Sequence, residues 1–291
     1  MIATAVANDG AVLGGTLMLG LLLAGIVLWI VLGVAWRASG VPLPVHAVRL
    51  RERHWSVSDL LFIGVGLGLA LAAIMAITFW LRRQGVDAQW LHFAVAVQNT
   101  ALQIFLAGLI LLRMRRAGGS MRGSFGFDPC RSGQPVEVLG TICKWYVAVL
   151  PLVFWAALLS HVLFASKDGD TMFQPVLVMF THASTPVWFR WWIAGVAVVV
   201  APIVEEAFFR GMLLPVLLRK YDVWVSVFAS ALLFALVHGH APAILPLFVL
   251  GVGLGTAYVY TGNLLIPVGV HALFNGVSLL VLLLAGPASP A

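Results

Sequence analysis

Three short stretches of the chain carry side chains that an apolar segment tolerates only when they are paired or functional. They are Glu205, Glu206 and Arg210 in APIVEEAFFRG, Phe234 and His238 in FALVH, and His271 and Asn275 in HALFN. Glu206 and Arg210 are four residues apart, so a helix puts them on one face, where carboxylate and guanidinium pair. Glu205 is rotated from Glu206 by about 100° and has no cation of its own on that helix. Phe234 and His238, like His271 and Asn275, stand one turn apart on their helices. A carboxylate beside an imidazole holds and deprotonates a water, which is general-base activation for hydrolysis. A second histidine and an asparagine supply hydrogen bonds to the oxyanion of a tetrahedral intermediate. Together these parts describe amide hydrolysis without a covalent nucleophile. Neither an HExxH zinc motif nor a GxSxG elbow is present. Glu205, His238 and His271 are also the ligand types of a His2Glu zinc site. A divalent metal such as zinc therefore stands as the alternative to a metal-free water, which the poor zinc ligand Asn275 favours. His240, two residues after His238, falls on another face or in a turn and is set aside.

The elements that carry these residues are membrane helices. Of 291 residues, 62% are hydrophobic and 10% charged, with mean hydropathy +1.03. Soluble proteins have roughly 45–50% apolar and about a quarter charged residues, so a cytosolic globular enzyme is excluded. Apolar runs at 12–36, 58–81, 91–112, 138–165, 187–218, 223–240, 241–261 and 263–285 predict an all-α bundle of about eight transmembrane helices. The chain reads as one membrane-embedded domain, 1–291, with a motif-bearing core over 186–286 (helices 5–8). The run at 12–36 is too long for a signal-peptide core and reads as a retained helix. Depth tests whether the polar groups can meet. At about 1.5 Å per residue, Glu205 lies about 21 Å from the basic end at Arg219, and His238 about 24 Å above Asp222. On the same rise, His271 and Asn275 lie about 12 and 18 Å above Asn263. All four fall within a hydrocarbon layer of about 30 Å. Pro202, one turn before the acids, predicts a bend beside them.

The net charge of +6 does not point to nucleic acid, because the basic residues flank apolar runs. Arg37, Arg49, Arg51 and Arg53, then Arg113, Arg115, Arg116, Arg122 and Arg131, then Arg219 and Lys220 fall in alternate loops. The intervening loops hold Arg82, Arg83, Lys167 and Arg190. This bias places the first, third and fifth loops on the cytoplasmic side and both termini outside. Ala117–Pro135, rich in Gly and Ser, reads as the main cytoplasmic linker. Trp188, Trp191 and Trp192 read as an interfacial anchor opening the fifth helix. Cys130 and Cys143 imply neither a disulfide framework nor a metal knuckle.

In order, EEAFFR, FALVH and HALFN resemble the EExxxR, FxxxH and HxxxN motifs of the type II CAAX prenyl endopeptidases, also called the CPBP or Abi family. The first four helices resemble that family only in being hydrophobic. The resemblance implies an intramembrane protease with Glu205 as general base and His238 helping to hold the water. It implies His271 and Asn275 as oxyanion ligands, Glu206 and Arg210 as the pair that shapes the fifth helix, and Phe234 packed beside His238. The family has been described both as metal-dependent and as glutamate-dependent, so the resemblance leaves the metal open. The expected substrate is a membrane-tethered peptide or protein, prenylated or otherwise anchored, in a prokaryotic plasma membrane. Two other classes stand beside it: a non-catalytic chaperone or regulator that binds membrane peptides, and a proton-coupled transporter. The transporter predicts an inverted repeat or paired half-helices, and the sequence shows none.

Overall fold

The computed structural model describes residues 46–127, 135–164 and 185–285, together with Leu23, Ile26, Val27 and Ile30. Among the described residues every regular element is helical: α1 (Ala47–Arg51), α2 (Val57–Arg83), α3 (Ala88–Arg116), α4 (Met121–Phe125), α5 (Pro135–Phe164), α6 (Val187–Leu218), α7 (Val223–Leu236), α8 (Ala241–Thr261) and α9 (Leu265–Ala285). Six of them, α2, α3, α5, α6, α8 and α9, are long and apolar enough to cross a membrane. The protein is an all-α, multi-pass membrane protein. The predicted run at 12–36 lies largely, and Cys130 wholly, outside the described residues. The run at 223–240 folds as the 14-residue α7, about 21 Å long and short of the roughly 30 Å layer. It ends early because Gly239 takes φ +63, a left-handed turn that glycine enters without a Cβ clash. His238 is thereby left at the tip of α7 rather than inside a full span.

Helices α2 and α7 start at side chains that satisfy free N–H groups. Ser56 and Asp59 form a reciprocal capping box at the head of α2, and Arg113 of α3 locks Asp59 at 2.5 Å. Asp222 accepts from the N–H groups of Trp224 and Val225 to start α7. The outer helices show the inverted logic of a lipid solvent. Helix α2 buries Asp59 and Ile63 while Leu61, Val65, Leu69 and Met75 are exposed. The inner helices pack closely through small residues. A Cβ on Gly253 of α8 would come within 2.5 Å of Val149 of α5.

At one end of the bundle the basic loops are folded together. Arg219 donates to the carbonyls of Arg51 (2.9 Å) and Arg53, and Arg53 donates to those of Arg122 (3.3 Å) and Gly123. The three loops expected to share a face do so. The expected linker is partly structured: Ser120 caps α4, Gly126 closes it at φ +70, and Phe125 is buried against Trp55. Tyr258 of α8 donates to the Phe125 carbonyl at 3.1 Å. Aromatic side chains thus pin a Gly/Ser-rich stretch to the bundle, which composition alone does not display. At the other end Trp188 and Trp191 are exposed, as an interfacial belt requires, while Phe189 is buried beside Phe93.

Candidate active site

Helix α6 carries both acids, and its backbone is not a plain α-helix. Val196–Val200 and Phe209–Leu213 are π-helical turns on either side of the acid-bearing Ala201–Phe208. In the first, the Ala201 N–H bonds to the Val196 carbonyl, five residues back. The next donor in that register would be residue 202, which is proline and has no N–H. Its acceptor, the carbonyl of Ala197, instead receives Nδ2 of Asn275 at 2.8 Å. The distortion expected near Pro202 therefore takes the form of a π turn whose orphaned carbonyl is satisfied from α9. Such turns concentrate at functional sites.

Glu205 and His238 meet at the partly open part of the site. Glu205 Oε2 lies 3.9 Å from His238 Nε2, with the side chains 16% and 20% exposed. His238 Nδ1 lies 2.7 Å from the Phe234 carbonyl. A carbonyl only accepts, so Nδ1 bears the hydrogen and Nε2 is the ring nitrogen that faces Glu205. The other carboxylate oxygen, Oε1, accepts from Nε2 of Gln103 on α3 at 3.0 Å.

Glu206 occupies a different, sealed environment. Its Oε1 accepts from Arg210 Nη1 at 2.8 Å and from His271 Nδ1 at 2.9 Å, and Glu206 and Arg210 are fully buried. Arg210 Nη2 reaches across to the Gly251 carbonyl of α8 at 3.0 Å. Glycine suits that approach, since a Cβ on Gly251 would stand 3.0 Å from Cβ of Ala231 and 3.3 Å from Arg210 Nη2, tighter than ordinary contact. Phe234 lies between the two groups. Its ring centroid is 4.8 Å from that of His238, 5.6 Å from that of His271, and 4.5 Å from the Arg210 guanidinium carbon, a cation–π contact.

The residues singled out in the sequence are thus brought together as two linked sets. Glu205 and His238 are partly exposed; Glu206, Arg210 and His271 form a buried triad behind Phe234, with Asn275 bonded to α6. Among the described residues no three His, Cys, Asp or Glu side chains are grouped as a metal centre needs. His271 Nδ1 bonds to Glu206, which leaves Nε2 as the ring nitrogen for any other ligand. Gln103 was not singled out, although the run Gln98-Asn99-Thr100 with Gln103 is a polar stripe in an otherwise apolar helix. Residues 186–277 match the family model described as Type II CAAX prenyl endopeptidase Rce1-like. That is the segment carrying all three motifs. Neither the curated proteins nor the solved structures include a match to the chain.

Proposed function

We propose that this protein hydrolyses a peptide bond in a membrane-tethered substrate, with a prenylated C-terminal peptide as the first candidate class, using a water activated by Glu205. The match of residues 186–277 supports the reaction class, and the 3.9 Å approach of Glu205 Oε2 to His238 Nε2 carries the mechanism. One water at about 2.8 Å from each atom fits that separation. Glu205 and neutral His238 each accept one hydrogen of the water, which aims its oxygen lone pair at the scissile carbonyl carbon. Attack forms the C–O bond as Glu205 takes the proton. Return of that proton to the amide nitrogen accompanies C–N cleavage. Glu206 is sealed from substrate and serves instead to orient His271. His271, held by Glu206, and Asn275, which retains a second amide hydrogen, are the proposed ligands of the oxyanion. This reading needs no metal. A prokaryotic plasma membrane is the proposed setting, supported by the basic flanks of the apolar runs.

The test is cleavage of quenched fluorescent peptides, with and without a C-terminal prenyl group, by protein in lipid nanodiscs before and after chelation. A single internal cut that survives chelation is expected. Loss of turnover on chelation would move the reaction to a metal-assisted mechanism. Tight binding with no cut, by any peptide, would leave a chaperone or regulator.

A further inference from the structure

We infer that Gln103, on α3 and outside the matched segment, is a positioning residue that sets which oxygen of Glu205 is free to act. The inference rests on the proposed role of Glu205. Carboxylate side chains of glutamate turn about three torsions, and a general base has to present one oxygen in one direction. Here Oε1 is held at 3.0 Å by Gln103 Nε2, which leaves Oε2 toward His238. Of the polar stripe on α3, Gln98 is paired with Thr78 of α2 at 3.0 Å, and Thr100 bonds its own helix at the Ala96 carbonyl. Gln103 alone among these three reaches α6. Its Oε1 is buried and has no partner among the described residues, so the amide is not held there by a competing network. An apolar residue would suit a helix whose only task is to pack; a buried amide that donates to a carboxylate is costly unless the bond is used. The N-terminal helices, which carry no motif of their own, thereby contribute directly to the site.

The test compares wild type with Gln103→Met, which keeps the volume and removes the donor. A lost hydrogen bond to a charged group predicts kcat lower by about ten- to hundredfold, with KM within about twofold because the bond is not made to substrate. Unchanged kcat in folded protein, or a rise in KM with kcat retained, overturns the inference. Should Gln103→Met not fold, Gln103→Asn, one methylene too short to reach, reads the same split. A double-mutant cycle of Gln103→Met with Glu205→Ala in thermal unfolding keeps this question separate from the reaction class. Non-additive Tm shifts are expected whether or not any peptide is cut, and additive shifts contradict the contact. Absence of turnover in the wild type with a non-additive cycle would sink the protease reading and leave the contact standing.

Discussion

At the scale of single residues, the adjacent acids Glu205 and Glu206 have opposite surroundings. One faces a partly exposed histidine across 3.9 Å, and the other is fully buried against Arg210 and His271. Breaking a buried pair strands the partner charge and costs roughly 3–5 kcal/mol. Glu206→Gln is therefore expected to lower the unfolding temperature sharply, whereas Glu205→Gln, at a partly exposed position, leaves it near wild type. Thermal denaturation in detergent checks this, and equal losses for both variants would contradict the division of roles. The sequence made the pairing of Glu206 with Arg210 legible, because the i,i+4 rule needs only spacing. That His271 also joins Glu206, and Gln103 joins Glu205, depends on packing between helices 65 and 102 residues apart in the chain, which no local pattern encodes.

At the scale of elements, α6 combines a proline, two π turns and a rescue from α9. If Asn275 supplies the hydrogen bond that Pro202 cannot, Asn275→Leu leaves the half-buried Ala197 carbonyl unsatisfied, at a cost of up to about 1–3 kcal/mol. Restoring an N–H with Pro202→Ala on that background is expected to recover part of the lost stability. Additive destabilisation by the two substitutions, read from unfolding transitions, would show that the carbonyl is satisfied in some other way. Period and length in the sequence were enough to place α2, α3, α5, α6, α8 and α9 to within a few residues. The sequence predicts α7 too long because its apolar pattern runs on through Val237, just before the turn at Gly239. The π register was not legible, since Pro202 announces a distortion but not its kind.

At the scale of the whole molecule, the basic end ties the N-terminal helices to the motif-bearing half. Arg219, at the end of α6, holds the carbonyls of Arg51 and Arg53, and Trp55 Nε1 donates to Ser124 at 3.3 Å. Positive-inside counting found that these loops share a face; it did not reveal that they interlock, because the arginines bond to backbone carbonyls rather than to acids. His54 sits in this cap. Burial holds its pKa below the ordinary histidine value, with Arg53 and Arg219 acting in the same direction and Asp59 opposing them. The unfolded chain therefore binds the proton first as pH falls through about 6.5. Stability is expected to be full above that value and to decline below it until the depressed folded pKa is reached. The Tm difference between pH 7.5 and pH 5.5 should shrink in His54→Asn; an unchanged difference would place the acid sensitivity elsewhere.

The buried triad and the interlocked cap both fasten α6, the helix that carries the partly exposed Glu205. The most direct measurement is kcat for Glu205→Gln against wild type, on folded protein in nanodiscs with an anchored peptide. Loss of turnover by at least about a thousandfold, at unchanged peptide affinity and Tm, is the expected result for removal of a general base. Turnover equal to wild type would contradict the assignment of Glu205 and, with it, the water-activation mechanism.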